Sequence, residues 1–191
     1  VIAKNANDVG ERAASLVAQA TKERPNLILG LATGKTMIPF YRGLIKLYRK
    51  KKVSFSKVRS FNLDEYAGLK SRDKGSLRFF MEKNFFSKVD FKEENINFLD
   101  GCTRNIASEC ARYEARIRDA GGIDLQILGI GQDGHIGFNE PLSSFKSKTR
   151  GVVLSDITRK NNAKFFGSFN KVPRRALTMG IATIMSAKKI I

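Results

Sequence analysis

The chain has 191 residues, 42% of them hydrophobic, and no low-complexity tract, which describes a single folded domain over 1–191 and excludes a disordered chain. No run of about 18 apolar residues is present to cross a bilayer, and the N-terminus lacks the basic-then-apolar order of a signal peptide; a soluble cytoplasmic protein without a membrane partner is expected. The formal charge of +17 calls for an anionic partner, yet the 35 Lys and Arg are spread along the chain without a zinc-finger, helix-turn-helix or RNA-recognition pattern, so no specific nucleic-acid partner is expected.

In chain order, Asn7 or Asp8 caps a helix to about Lys22, with Val9, Ala13, Leu16, Val17 and Ala20 on one face, and Pro25 ends it. Residues 27–32 are continuously apolar, as a strand covered on both faces would be, and Thr36 to about Arg49 follows as a helix carrying Phe40, Leu44 and Leu47. Val58–Leu63 reads as a second strand, 76–87 as a helix and Ile96–Leu99 as a short strand. Asn105–Asp119 is an amphipathic helix with Ile106, Cys110, Tyr113 and Ile117 on one side, stopped by Gly121-Gly122. Leu125–Ile130 is another buried strand; a shorter one near Val152–Leu154, a helix near 158–166 and a strand starting at Ile190 complete the chain. Strands alternating with helices predict an α/β fold: an open, mostly parallel, doubly wound, Rossmann-like sheet with helices on both faces. The last residues, Lys188-Lys189-Ile190-Ile191, have the pattern of a chain entering a buried strand, so the domain is expected to continue past them.

Three polar loops each follow a predicted strand: Thr33-Gly34-Lys35-Thr36, Asn62-Leu63-Asp64-Glu65-Tyr66, and Gly129-Ile130-Gly131-Gln132-Asp133-Gly134-His135. In open parallel sheets ligands bind at the carboxyl ends of the strands, so the three loops should meet at one crevice. The first loop imitates a nucleotide-binding motif, but Gly30 and Gly34 enclose three residues where that motif needs four. A glycine turn feeding a helix start still aims N–H groups at an anion, and Thr33 and Thr36 either cap that helix or hold a phosphate.

The third loop has the Gly-x-Gly-x-x-Gly spacing of a dinucleotide site, but Pro141 cuts short any following helix, and no cofactor is expected. His135, the one histidine, has Asp133 two residues before it and Glu140 five after. A carboxylate in reach fixes the imidazole tautomer and leaves the other nitrogen to move a proton near neutral pH. Asp64 and Glu65 read equally as a turn or helix cap and as a general base freed from water. With one histidine, and with Cys102 and Cys110 outside any Cys/His cluster, no metal site of ordinary spacing is expected.

Taken together, Leu29-Gly30-Leu31-Ala32-Thr33-Gly34, Phe61-Asn62-Leu63-Asp64-Glu65-Tyr66-Ala67-Gly68-Leu69, Glu94-Asn95-Ile96-Asn97, Asp133-Gly134-His135-Ile136-Gly137-Phe138-Asn139-Glu140-Pro141, and Val172-Pro173 with Ala176-Leu177-Thr178 resemble the glucosamine-6-phosphate deaminase family, of the sugar-phosphate isomerase superfamily that includes 6-phosphogluconolactonase. The resemblance implies cofactor-free conversion of glucosamine 6-phosphate to fructose 6-phosphate and ammonia. Ring opening falls to His135, supported by Asp133 and Glu140, and the base at carbon 2 is Asp64. It implies phosphate binding by Thr33, Gly34, Lys35, Thr36 and Lys164, where Lys164 stands for an arginine of the family and Lys35-Thr36-Met37 replace a small residue, Thr and Pro. Leu77 stands where Tyr usually follows Ser76. Ser143, Ser144 and Arg150 match residues with which some members bind N-acetylglucosamine 6-phosphate as activator, with Val152 in place of a lysine. A homo-oligomer is compatible with the sequence, and a lactonase-like hydrolase or a non-catalytic sugar-phosphate binder are the alternatives.

Overall fold

The computed structural model describes residues 2–131 and 133–191. The first helix, α1 (Ala6–Glu23), begins at Asn5, whose side chain accepts from the N–H groups of Asn7 and Asp8, so the cap lies ahead of the expected one. Its buried face is Gly10, Ala14, Val17, Ala18 and Thr21, whereas Val9 and Leu16, expected inside, are 55% and 44% exposed. The reason is the closeness of the next helix, α2 (Ile38–Arg49). A Cβ at Gly10 would lie 2.6 Å from the Pro39 carbonyl carbon, and one at Gly43 would lie 2.8 Å from Ala14 Cβ. Two backbones that close together select small residues, and the larger apolar side chains are turned out.

Between these helices runs β1 (Ile28–Leu31), buried throughout, and a single 3₁₀ turn at Lys35–Met37 leads into α2. β2 (Arg59–Asn62), β3 (Asp64–Tyr66), α3 (Leu77–Asn84), β4 (Ile96–Asn97), α4 (Ile106–Asp119), β5 (Leu125–Gln126) and β6 (Arg150–Val153) follow. The chain ends with α5 (Asp156–Phe166), β7 (Arg175–Thr178), α6 (Ile181–Met185) and β8 (Lys189–Ile190). Five strands form one parallel sheet in the order β4-β2-β1-β5-β8. Right-handed crossovers outward to β2 and β4 and then back to β5 put α2 and α4 on opposite faces, as the doubly wound pattern predicts. On the α4 side Tyr113 meets Phe61 edge-on and its hydroxyl donates to the Asn62 and Asn97 carbonyls. On the α2 side Tyr41 stacks on Phe85, which in turn packs on Phe55, each such buried ring contributing about 2–3 kcal/mol.

Strand order reverses between β1 and β5, so the carboxyl ends of those two strands open the crevice. Two expectations are corrected here. The strand expected over Leu125–Ile130 leaves the sheet early: Leu128 N–H still reaches the Ile191 carbonyl, but the chain then peels away and Ile130 is 77% exposed. The second loop is not a loop. Leu63 stays tied to β1 through the Leu31 carbonyl, and then Asp64–Tyr66 join an antiparallel sheet in the order β3-β7-β6, which the alternation of strands and helices did not announce.

Candidate active site

Asp64 and Glu65 are neighbours in β3, and the two-residue period of a strand sends them to opposite faces. Asp64 faces the crevice with Tyr66, in a cavity of about 470 Å³ whose wall also includes Thr33, Gly34, His135 and Phe138. It is 5% exposed, and its Oδ1 has no hydrogen-bond partner among the described residues. Burial, and secondarily the charge of Glu65, push its carboxyl up to about 7. Glu65 points behind the strand at the first turn of α3. Its two oxygens accept from the N–H groups of Tyr66, Leu77 and Arg78 and from the Ser76 hydroxyl, at 2.7–3.0 Å. Burial raises its carboxyl and the four bonds pull it partway back. Of the two readings open from the sequence, Glu65 takes the structural one and Asp64 is left available for chemistry.

The loop after β5 brings the imidazole to the same cavity. His135 Nδ1 lies 2.5 Å from Asp133 Oδ1. Partial desolvation raises the Asp133 carboxyl, but the bonds from His135 outweigh it and hold the group below its ordinary range. An ionised carboxylate only accepts, so Nδ1 carries the hydrogen, and in the neutral imidazole the lone pair is on Nε2. The glycines explain themselves at this point. A Cβ at Gly131 would lie 2.2 Å from the His135 ring, so only glycine lets the imidazole lie there; Gly134 has φ +85°, and Gly131 N–H reaches the His135 carbonyl at 2.8 Å. The spacing that imitates a dinucleotide fingerprint therefore seats a histidine. Gln132, within that loop, lies outside the described residues.

Beyond His135 the chain crosses directly above the acid. Gly137, φ +58°, passes so close that a Cβ there would sit 3.3 Å from Asp64 Oδ2 and 3.0 Å from Thr178 Oγ1. Thr178, at the end of β7, accepts the Phe138 N–H on its hydroxyl, and Asn139 bonds the Met179 carbonyl. Glu140 does not bond the imidazole. Its Oε1 accepts from Ser155 N–H and Thr158 Oγ1 at the start of α5, and these bonds outweigh its desolvation to hold the carboxyl below the ordinary range. Its contribution to the site runs through α5, which it pins to the histidine loop.

Thr33, Gly34, Thr36 and Lys164 line the same cavity. Gly34 has φ +109°, a turn that L side chains rarely adopt, and the loops after β1 and β5 meet where a Cβ at Gly129 would lie 3.5 Å from Thr36 Oγ1. Lys35, expected with them, is exposed and turned to the mouth: its ammonium sits 5.5 Å from the Phe165 ring centre, and Lys164 approaches the same ring at 5.6 Å. Arg150 donates to Asn139 Oδ1 at 2.7 Å and to Ser143 Oγ at 3.2 Å, whereas Ser144 bonds Lys146 within its own turn.

Several groups of this site were not legible as such. The buried Tyr41 hydroxyl donates to the Ala32 carbonyl at 2.5 Å and fixes the start of the Thr33 loop, and Tyr66 packs between Phe138 and Phe166 under α5. Thr178 had a signal, the Ala176-Leu177-Thr178 run. Its role depends on an antiparallel pairing that no local pattern reveals. Among the described residues no group of three or more His, Cys, Asp or Glu side chains could hold a metal ion, and no helix is long and apolar enough to cross a membrane.

Residues 3–191 match the family model described as glucosamine-6-phosphate isomerases/6-phosphogluconolactonase. Glucosamine-6-phosphate deaminase from Thermoanaerobacter sp. (strain X514) is 47% identical over all 191 residues, which span 76% of that protein. The deaminase of Clostridium acetobutylicum is 48% identical over 185 residues, 97% of this chain and 77% of its own length. Among solved structures, a monomeric glucosamine-6-phosphate deaminase superposes with a TM-score of 0.95 at 45% identity, covering 97% of this chain and 77% of that one. The 6-phosphogluconolactonase of Thermotoga maritima shares the fold, with a TM-score of 0.70 at 22% identity over 95% of this chain and 76% of its own.

Proposed function

This chain belongs to the family of glucosamine-6-phosphate isomerases and 6-phosphogluconolactonases, and from that premise we propose that its crevice deaminates glucosamine 6-phosphate to fructose 6-phosphate and ammonia. The observation that carries the reading is Asp64, a buried carboxyl with an unpartnered oxygen, across one cavity from a histidine whose Nε2 is left basic. A base on a carbon acid needs a pKa near the working pH, and burial supplies it.

The steps follow from these groups. The His135 Nε2 lone pair takes the proton from the anomeric hydroxyl and returns it to the ring oxygen, opening the sugar to its aldehyde. Asp64, ionised, removes the proton from carbon 2, leaving an enolate at carbon 1 beside the amine at carbon 2. The same carboxyl, its proton exchanging with water, delivers a proton to carbon 1, and the nitrogen gives one up to the oxygen there, leaving a hydroxyl at carbon 1 and an imine at carbon 2. Water adds there and ammonia departs, so the carbonyl ends at carbon 2 and no electron donor or cofactor is consumed. The substrate phosphate binds the turn at Thr33, Gly34 and Thr36, ahead of the 3₁₀ turn and α2, whose dipole presents its positive end there, with Lys164 in the same wall and Lys35 at the rim.

Incubation of the chain with glucosamine 6-phosphate and assay of ammonia and fructose 6-phosphate tests the proposal. Both products in equal amounts support it. Absence of ammonia, with hydrolysis of 6-phosphogluconolactone instead, overturns it.

A further inference from the structure

A charge of +17 exceeds what one sugar phosphate requires, and part of it is gathered far from the crevice. α1 and α2 both end at the amino edge of the parallel sheet. There a depression of about 710 Å³ is lined by Lys22, Arg49, Lys51, Lys52 and Lys57, with Ser54 and Tyr48 adding hydroxyls and no acid in the wall. Asp90, beside it, is committed to Ser54 Oγ and Phe55 N–H. A second depression, of about 420 Å³, shares Arg49 and adds Arg42, Lys46, Lys50 and Lys88. Lys46 pairs with Glu11 at 3.0 Å; the other cations of both depressions make no ion pair among the described residues.

Helix dipoles explain cations in the last turns of α1 and α2. They do not explain Lys51. It occupies the left-handed position after α2, φ +56°, where Lys51 N–H reaches the Tyr48 carbonyl and Lys52 N–H the Leu47 carbonyl. Glycine or asparagine is the ordinary occupant, and a long side chain there costs about 1 kcal/mol. Lys57 lies outside both helices. The face also lacks the apolar groups that a membrane surface would take: of the large hydrophobic side chains that are exposed, none falls between Leu16 and Ile130.

We propose that this end of the molecule docks a nucleic-acid strand through its phosphates, without reading bases. Ammonium, guanidinium and hydroxyl groups are the ones that contact phosphodiester oxygens, and nothing on the face presents a helix or ribbon to a groove. The crevice stays free, because α2, 12 residues and about 18 Å long, separates its phosphate turn from the basic face. Substrate and strand bind at once.

The test is fluorescence anisotropy with a fluorescein-labelled, mixed-sequence 20-nucleotide RNA in 50 and 200 mM salt. Affinity is expected to fall by about fiftyfold to 130-fold between the two, from four or five phosphates neutralised on a single strand. Lys51→Gly/Lys52→Ser/Lys57→Ser should weaken binding more than about tenfold, and Lys92→Ser/Arg104→Ser/Lys171→Ser, which removes equal charge elsewhere, less than about threefold. Cooperative melting no lower than the parent's shows that both variants fold, and saturating RNA should leave the reaction rate unchanged. Equal weakening by the two triple variants, competition between RNA and glucosamine 6-phosphate, or binding only to phosphatidylserine vesicles overturns the proposal.

Discussion

The two faces of β3 carry adjacent acids with opposite fates. On the back face every oxygen of Glu65 is used: three N–H groups and a hydroxyl converge on it, and it serves as the cap from which α3 starts. On the crevice face Asp64 is as deeply buried and has an oxygen with no partner among the described residues. Burial raises both carboxyls, but hydrogen bonds restrain only Glu65. A single strand thus holds one acid spent on stability and one kept in a state that costs stability. That asymmetry singles out Asp64 as the proposed functional residue more clearly than the acid's identity does.

The comparison breaks most visibly by removing the acid on each side. Asp64→Asn removes the proposed base and should lower the rate of ammonia release by about a hundredfold to ten-thousandfold while the fold persists. Glu65→Ala strands three N–H groups and a hydroxyl in a buried place, and thermal or urea unfolding should register a loss of about 3–5 kcal/mol.

Titration sharpens the contrast. An aspartate free in the unfolded chain at about 3.8 and raised to about 7 in the fold binds more protons when folded, so its contribution to stability falls as pH rises between those values and is level above them. Asp64→Asn abolishes that fall and should gain about 2–4 kcal/mol over the parent at pH 8, with little difference below pH 4. The same carboxyl must be ionised to act, so kcat/KM of the parent should climb with pH through about 7.

Smaller effects belong to the groups around them. Gly131→Ala pushes on the imidazole and should reduce kcat about tenfold to a hundredfold, with KM little changed. Lys35→Gly removes a cation that rests on Phe165 at the rim, and should raise KM for the sugar phosphate about twofold to fivefold with kcat unchanged.

Periodicity and turn residues made the parallel sheet legible, because β1 is continuously apolar and α4 carries Ile106, Tyr113 and Ile117 on one face between Asn105 and Gly121. The small antiparallel sheet escaped for a physical reason. β3 is three residues long, two of them charged, and its partner β7 lies more than a hundred residues on, so its pairing is entirely tertiary. The buried face of α1 escaped similarly: Gly10 and Ala14 face α2 because backbones touch there, and hydrophobicity alone favoured Val9 and Leu16. At the site, Asp64, Asp133 and His135 were legible as chemistry, and their convergence followed from strand ends alone. The division of labour between Asp64 and Glu65 was not, since it depends on which face of β3 meets α3. Glu140 was legible as an acid near the histidine, but its bonds to Ser155 and Thr158 are set by the position of α5.

The most direct measurement is the fate of hydrogen at carbon 2 when glucosamine 6-phosphate reacts in deuterium oxide, followed by proton NMR. With the parent chain, fructose 6-phosphate should appear carrying deuterium at carbon 1. With Asp64→Asn, whose melting is checked in the same buffer, neither product nor exchange at carbon 2 should appear over the same interval, while Glu65→Gln should still exchange at a temperature where it is folded. Continued exchange by folded Asp64→Asn would contradict the assignment of Asp64 as the base.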